Sequence, residues 1–383
     1  MTVGGGAGEP GASVQALPWH VHAASAIGSA HAKDGRPNQD AVAHQLLTLP
    51  GESDLLVVTI ADGHGDVRHF RSDRGAKMAV AAGIAAMRDW SAGISGSPAE
   101  IKQSARRGLI PGIVARWNAA VAADLADDQF TTAERVMLTE LELPPQTAYG
   151  STLLIGAFTD GHAVFAQIGD GNIVAVAPDG RAMSPVPGDG GPDKNHTASL
   201  CQADASTAFR IGVIQLAVRP VFAALLATDG FGNAQAQDPW QADVAADLAG
   251  FGLDHGQDWF AAQVPGWAAQ CASPAGSGDD STIALVINSA ARPRRGLPGT
   301  DLHRSHTETI PAQTLELPVP PVPRAGSGDQ GRQGRSGDRS DRAPSERRPG
   351  WPRNRAGAWT AAAIAVVLAV LLLGFLLLGH GPR

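Results

Sequence analysis

The sequence has little cysteine and few aromatic residues. Among 383 residues there are two cysteines, Cys201 and Cys271, and aromatic residues make up 5% of the chain. Two cysteines this far apart supply neither a disulfide framework nor the paired spacing of a zinc site, and a reducing compartment fits such usage. The first residues lack a basic segment followed by an apolar run, so we expect no secretory signal peptide.

Positive charge is also scarce. The formal net charge is −7, from 30 basic and 37 acidic residues. A chain with this balance lacks the basic surface of a nucleic-acid-binding protein, and we expect no nucleic-acid partner. Hydrophobic residues nevertheless make up 43% of the chain. That is enough apolar sequence for one large core.

Changes in composition divide the chain into five segments. We expect a disordered N-terminus over 1–17, a globular domain over 18–289, a disordered Pro/Gly/Arg-rich linker over 290–355, a transmembrane helix over 356–379 and a short tail over 380–383. Within the globular domain, apolar strand-like runs are separated by Ala-rich helical segments. This order predicts a sheet-rich layered domain rather than regular βαβ winding.

The residue pattern predicts the main elements of the globular domain. Continuous apolar runs between glycines or turn residues predict strands over 55–61, 153–158, 163–168, 222–227 and 282–287. Ala-rich segments predict helices over 76–90, 101–125, 131–143, 244–248 and 259–269. We expect the second helix to kink or divide at Pro111-Gly112 because proline removes a helical hydrogen bond.

The predicted transmembrane segment, 356–379, contains no charged residue. As a helix it would extend about 36 Å, which exceeds the roughly 30 Å of a bilayer's hydrocarbon core. Several arginines precede it, and Arg383 follows it. By the positive-inside rule, we expect a single-pass protein of the bacterial inner (plasma) membrane with its globular domain in the cytoplasm. The arginines could bind anionic lipid or belong to a solvated tether.

Aspartates beside glycines occur repeatedly at the ends of the predicted strands. Asp62, Asp170 and Asp229 each follow a strand, and Asp279 lies just before the last one. Any one of these could be an ordinary turn residue. Together they would repel one another unless a cation were present, and oxygen ligands without cysteine favour Mg²⁺ or Mn²⁺. His64 lies two residues after Asp62 and could protonate a leaving group, so the residues indicate metal-assisted hydrolysis of a phosphate ester.

Six short motifs also resemble, in order, those of the metal-dependent serine/threonine protein phosphatases of type 2C. The motifs are Asn38-Gln39-Asp40, Asp62-Gly63-His64-Gly65, Gly150-Ser151-Thr152, Gly169-Asp170-Gly171, Thr228-Asp229-Gly230-Phe231 and Asp279-Asp280-Ser281-Thr282. The resemblance covers about residues 18–288 and looks like a divergent bacterial branch. It implies an α+β fold, a four-layer α-β-β-α sandwich, with metal ions in a cleft at one edge of two sheets.

The resemblance implies two ions of Mg²⁺ or Mn²⁺, and a third as in bacterial members of the family. Asp62 would bridge two ions, and the Gly63 carbonyl would bind one of them. Asp229 and Asp279 would complete the first ion's ligands, and Asp170 would help to hold the third. The ions would activate water for hydrolysis of phosphoserine and phosphothreonine in proteins.

The resemblance also implies that Asp40 orients the attacking water and that His64 is the general acid. The expected substrates are phosphoproteins, such as a bacterial Ser/Thr kinase or its targets near the membrane. Two alternatives remain open. One is a weak or inactive phosphatase-fold sensor or scaffold at the membrane, and the other is a phosphatase for small molecules.

Three positions depart from the family pattern. Gln39 occupies the position of a usual glutamate, and Asp280 that of a usual asparagine. The family's phosphate-binding arginine corresponds to Gly35 here. The residues that could contact phosphate instead are Arg36, Lys33 and His31. Of these we favour Arg36, which is displaced by one residue from the family position.

Deletion of residues 356–383 should move the protein from the membrane pellet to the soluble fraction, because it removes the apolar span. Ultracentrifugation of a detergent-free lysate measures this partition. A control deletion of residues 300–330, within the predicted linker, should leave the protein in the pellet. Recovery of the intact chain in the soluble fraction would contradict the anchor.

Overall fold

The computed structural model describes residues 17–48, 54–188, 197–235 and 239–294. The predicted transmembrane segment, the predicted disordered N-terminus up to residue 16 and the predicted linker beyond residue 294 lie outside these ranges. Among the described residues, no helix combines the length and apolar character needed to cross a membrane.

Ten strands lie within the described ranges. They are β1 (Trp19–Ala26), β2 (Ala41–Thr48), β3 (Asp54–Ala61), β4 (Leu153–Phe158), β5 (His162–Ile168), β6 (Asn172–Val176), β7 (Ala182–Met183), β8 (Arg210–Gln215), β9 (Ala223–Ala227) and β10 (Ser281–Asn288). The α-helices in the same part of the chain are α1 (Ser29–Asp34), α2 (Ser72–Trp90), α3 (Pro98–Arg107), α4 (Leu109–Asp127), α5 (Thr132–Glu140), α6 (Ala205–Ala208), α7 (Asp229–Gly232), α8 (Gln241–Asp254) and α9 (Gln257–Cys271).

The strands form two antiparallel five-stranded sheets. Sheet 1 has the order β1-β10-β9-β6-β7, and sheet 2 has the order β2-β3-β4-β5-β8. The predicted mixed α+β class is therefore confirmed. Sheet 2 is a meander over β2 to β5, in which Val58 pairs with His44 on one side and Gly156 on the other.

Strand β3 shows why its sequence is a continuous apolar run. Its side chains alternate between two cores: Leu55 and Val57 pack in the cluster shared with the helices, whereas Leu56, Val58 and Ile60 pack in the cluster between the sheets. Since both faces are covered, neither set of alternating positions can be polar. The same condition applies to β4, which the sequence also predicted.

Three apolar clusters define the layers. One joins the outer face of sheet 2 to α2, α3 and α4, and a second joins the outer face of sheet 1 to α8 and α9. The third lies between the sheets and contains side chains from both of them. The layers thus run helices, sheet 2, sheet 1, helices.

The predicted helix over 101–125 is divided, but not where the proline predicted. The division between α3 and α4 lies at Gly108, and Pro111 belongs to the first turn of α4. A proline is tolerated there because the first backbone amides of a helix have no partner within the helix. The predicted division at Pro111-Gly112 was therefore wrong by about one turn.

A buried arginine fixes the start of α2 against the neighbouring elements. Arg71, with 8% of its side chain exposed, donates to the carbonyl oxygen of Asp128 at 2.6 Å and to the hydroxyl of Tyr149 at 2.8 Å. The Asp124 carboxylate on α4 accepts from the Tyr149 hydroxyl at 2.6 Å and lies 3.5 Å from the Arg71 guanidinium. The guanidinium also lies 4.7 Å from the ring centre of Phe130.

We expect Arg71→Ala to lower the free energy of unfolding by about 2–4 kcal/mol, because buried acceptors would lose their donor. Urea unfolding followed by circular dichroism measures this difference. Arg74→Ala is the matched control, since Arg74 contacts the same Asp124 and Asp128 carboxylates but has 40% of its side chain exposed. Its removal should cost no more than about 1 kcal/mol. Equal losses from both variants would contradict this account of Arg71.

Candidate active site

One cavity of about 590 Å³ collects most of the predicted site residues. Those that line it are Arg36, Asp62, Gly63, His64, Asp170, Asp229 and Asp279. They come from the ends of strands in both sheets and from the loop after α1. The structure thus brings together residues that are more than 200 positions apart in the sequence.

Asp62 and Gly63 directly follow β3, and neighbouring backbone segments pack closely around them. The Asp62 amide donates to the Thr152 hydroxyl at 3.0 Å, and the Thr152 amide donates to the Asp62 carbonyl at 2.8 Å. A Cβ at Gly63 would lie 2.7 Å from the carbonyl oxygens of both Gln39 and Ser72. Position 63 therefore requires glycine on steric grounds, and the backbone beside Asp62 is held from both sides.

Asp229 begins the short helix α7 immediately after β9, and Asp279 lies just before β10. The Asn233 side-chain amide donates to Asp229 Oδ2 at 3.1 Å. The Asp280 amide donates to Asp279 Oδ1 at 2.9 Å. Because β9 and β10 are paired neighbours in sheet 1, their adjoining ends place the two carboxylates on the same cavity.

Asp170 occupies the tight turn between β5 and β6. Gly169, before it, has a φ of +101°, which favours glycine. A Cβ at Gly171, after it, would lie 2.7 Å from a Leu154 methyl group. The Thr197 hydroxyl donates to Asp170 Oδ2 at 2.7 Å, so this carboxylate reaches the cavity already oriented.

Asp40 lies near the cavity but is not part of its lining. Its side chain is buried, and Oδ2 accepts from the Thr228 hydroxyl at 2.9 Å. Oδ1 is also buried and has no hydrogen-bond partner. The role predicted for Asp40 in orienting water stays a prediction.

The carboxylates destabilise one another electrostatically. Burial, followed by the charges of Asp40 and Asp229, raises the pKa of Asp62 well above its ordinary value. Burial is also the main cause that raises the pKa of Asp40 to about 7 and that raises the pKa of Asp229. Asp229 therefore contributes to the raised pKa of Asp62, and a cation between the two carboxylates would relieve this repulsion.

These residues fit a divalent cation by their chemistry. Within the described ranges, no three His, Cys, Asp or Glu side chains are arranged as a ready-made metal site. The donors at the cavity are nonetheless hard carboxylate oxygens, which Mg²⁺ and Mn²⁺ prefer. The unpartnered Oδ1 of Asp40 and the raised pKa values also indicate that positive charge is missing from this region. Asp62, Asp170, Asp229 and Asp279 could hold it.

His64 lies beside a second histidine that sequence reasoning missed. The ring centres of His64 and His69 are 4.8 Å apart, and both rings line the cavity. His69 Nδ1 contacts the Thr147 carbonyl oxygen at 2.5 Å, and burial lowers the pKa of His69. A Cβ at Gly150 would lie 2.3 Å from His69 Nδ1. The glycine of Gly150-Ser151-Thr152 therefore makes room for the two imidazoles.

Arg36 reaches the cavity from the loop after α1. Its Nη1 donates to the Gly65 carbonyl at 2.9 Å, and its Nη2 lies 3.5 Å from Asp34. Gly35 ends α1 with a φ of +69°, a left-handed conformation that favours glycine. Position 35, to which the resemblance assigns the family's arginine, is therefore a helix C-cap in this chain.

In chelator, we expect the free energy of unfolding to fall by about 2–4 kcal/mol as the pH rises from about 4 to about 7. The folded protein keeps Asp40 protonated up to a pKa of about 7, whereas the unfolded chain loses that proton near its ordinary value of 3.8. Stability is therefore highest below the unfolded pKa and declines as the pH rises through the folded one. Asp229→Asn should reduce this decline, because the Asp229 charge raises the pKa of both Asp40 and Asp62.

Urea unfolding at a series of pH values measures the decline. Asp254→Asn, at an exposed position near the end of α8, is the control and should leave the decline unchanged. Mn²⁺ should reduce the decline in the unsubstituted protein. A pH profile that neither Asp229→Asn nor Mn²⁺ alters would show that these carboxylates do not repel one another as described.

Comparisons with known proteins agree with the geometry. Residues 27–259 match the family model described as Protein phosphatase 2C. A search of curated proteins found no match. Among solved structures, a bacterial serine phosphatase is 14% identical, with 70% of this chain and 97% of that chain covered and a TM-score of 0.43.

Two further structures are similar to the same extent. PppA, described as a key regulatory component of T6SS in Pseudomonas aeruginosa, is 17% identical over 70% of this chain and 97% of that chain, with a TM-score of 0.42. The S. agalactiae serine/threonine phosphatase is 17% identical over 70% of this chain and 99% of that chain, with a TM-score of 0.42.

The family assignment rests on the family model, which covers more than half of the 383 residues. The matched range includes Asp62, Asp170 and Asp229, whereas Asp279 lies beyond it. The chain therefore belongs to the protein phosphatase 2C family, a family of protein serine/threonine phosphatases.

Proposed function

We propose that this chain hydrolyses phosphoserine and phosphothreonine in proteins, with Mg²⁺ or Mn²⁺ held by the aspartates of the cavity. One observation carries the proposal. Four carboxylates from separate strand ends converge on one cavity that also contains His64 and Arg36. Such a set suits a phosphate monoester, whose negative charge requires cations and whose leaving oxygen requires a proton.

The ligand roles follow from position. The charges of Asp40, Asp229 and Asp170 each raise the pKa of Asp62, so Asp62 would be a ligand to the metal ions. Asp229 and Asp279, which come from neighbouring strand ends, would be further ligands, and the Gly63 carbonyl would add a neutral oxygen. Asp170, oriented by Thr197, would help to hold a third ion. When bound, the ions supply positive charge for the phosphoryl oxygens and lower the pKa of water towards neutrality.

The remaining residues bind substrate and move protons. Arg36 binds phosphoryl oxygens at the cavity edge, where its Nη1 already lies 2.9 Å from the Gly65 carbonyl. His64 donates a proton to the serine or threonine oxygen as it leaves. Asp40 orients the attacking water from beneath the cavity.

We further propose that the phosphatase acts at the cytoplasmic face of the inner membrane. The support is the uncharged segment 356–379 with arginines before it. A tethered enzyme meets membrane-associated phosphoproteins at raised local concentration. A bacterial Ser/Thr kinase or its targets would suit this placement.

Mn²⁺ should support hydrolysis of p-nitrophenyl phosphate and of phosphothreonine peptides, and chelator should abolish it. Asp229→Asn and Asp62→Ala should each lower kcat/KM by at least about 100-fold, because each removes charge from the metal site. Steady-state release of p-nitrophenol and inorganic phosphate measures this. Asp254→Asn is the control and should keep full activity.

The stability and the activity of Asp229→Asn should change in opposite directions. The variant should gain stability in chelator at neutral pH and lose activity in Mn²⁺, so unfolding cannot account for the loss. An unsubstituted protein that binds phosphopeptides tightly without turnover, across a wide range of Mn²⁺ concentration and pH, would contradict hydrolysis and indicate a binding role.

A further inference from the structure

His31 on α1 is a buried histidine at the wall of the cavity. It is 7% exposed and lies among the residues that line the cavity. Its Nδ1 is 2.9 Å from Asp280 Oδ2, across 249 residues of sequence. A buried ion pair of this kind costs desolvation free energy, and it stabilises the fold only when its remaining contacts are well satisfied.

The hydrogen bonds that Asp280 accepts determine which group is the donor in its contact with His31. Asp280 Oδ1 accepts from the Gly28 amide at 2.6 Å, and Oδ2 accepts from the Gln39 amide at 2.6 Å. Backbone amides are donors only, so the Asp280 oxygens are the acceptors in both contacts. Nδ1 of His31 is then the donor in the third contact, which fixes the orientation of the ring.

With Nδ1 on Asp280, the opposite nitrogen faces the cavity. His31 Nε2 lies 3.7 Å from the point that a Cβ on Gly65 would occupy, and Arg36 Nη1 lies 3.9 Å from the same point. These two nitrogens therefore flank the backbone of Gly65, at the end of Asp62-Gly63-His64-Gly65. An imidazole that donates from both ring nitrogens carries its second N–H at Nε2.

Two other residues at the cavity, Arg68 and His69, are less suited to bind phosphate. Arg68 forms an ion pair with Asp66 at 3.0 Å. Burial lowers the pKa of His69, which favours its neutral form. His31 differs because its partner Asp280 is buried, whereas Nε2 lies near Gly65 in the lining of the cavity.

We propose that His31, held by Asp280, binds a phosphoryl oxygen of the substrate through Nε2–H, beside Arg36. This inference rests on the proposed phosphatase function and names a substrate-binding residue for it. Asp280 is a positioning residue, since it touches His31 and not the substrate. Gly35 ends α1 one turn after His31, and the Arg36 amide donates to the His31 carbonyl at 2.9 Å, so His31 and Arg36 belong to one local backbone arrangement.

The test measures binding of inorganic phosphate to the full-length chain by isothermal titration calorimetry in Mg²⁺. His31→Gln should weaken the dissociation constant about tenfold, as expected for loss of one charge-assisted hydrogen bond. Arg106→Gln, which removes a positive charge at an exposed position on α3, is the matched control and should bind phosphate normally. An unchanged dissociation constant in folded His31→Gln would overturn the proposal.

A double-mutant cycle tests the role of Asp280. Asp280→Asn keeps a side-chain acceptor for a backbone amide but removes the charge that holds the imidazolium. It should weaken phosphate binding, and in the His31→Gln background it should add little further loss. Additive losses would overturn the positioning role. If Asp280→Asn does not fold, the His31→Gln titration still decides whether His31 binds phosphate.

Turnover separates phosphate binding from proton donation. As a phosphate ligand, His31 should contribute equally to kcat/KM for p-nitrophenyl phosphate and for a phosphothreonine peptide. A loss in His31→Gln confined to the peptide, whose leaving group is poor, would indicate a general acid and overturn the proposal. Binding of phosphate that depends on His31, in a protein that hydrolyses neither substrate, would support this inference while contradicting hydrolysis.

Discussion

Repulsion among buried carboxylates is the interaction on which the rest of this structure depends. Asp40, Asp62 and Asp229 lie where strands of both sheets end, and burial raises the pKa of each. The charges cannot separate, because the apolar clusters on each face of the sheets fix the strands that carry them. Folding therefore assembles these carboxylates at a cost in free energy, which a cation bound among them would offset.

A chain of hydroxyl and amide groups holds the strand ends in register. The Thr228 hydroxyl donates to Asp40 and accepts from the Thr282 amide, and the Thr282 hydroxyl donates to Ser25 at 2.7 Å. The Asn38 side chain also donates to Ser25, at 2.8 Å. These contacts join β1, β9 and β10 of sheet 1 to the start of β2 in sheet 2. Asn38 and Thr282 therefore support the aspartates through their shared contact with Ser25.

Elements and residues with a local sequence signal could be predicted from the sequence. Residues whose role depends on contacts between distant segments could not. Strands β3 and β4 are buried on both faces and were predicted as apolar runs. Edge strands β1, β2 and β8 carry polar residues and were missed, as were the two-residue edge strand β7 and the short internal strand β6. The cavity aspartates were found because each lies beside a glycine at the end of a strand. His69 had no such local signal, since its partner at Thr147 is 78 residues away.

The three departures from the family pattern are connected in space. The Gln39 amide donates to Asp280, and its side-chain Nε2 donates to the Ser72 hydroxyl at 2.7 Å. Asp280 pairs with His31, and the helix that carries His31 ends at Gly35. The carboxylate at position 280 thus contacts a histidine. At position 39, where the family has a glutamate, the neutral side-chain amide of Gln39 donates to Ser72 at the start of α2. Gln39 and Asp280 contact each other directly, and Gly35 ends the helix whose His31 contacts Asp280, so the three positions lie in one region beside the cavity.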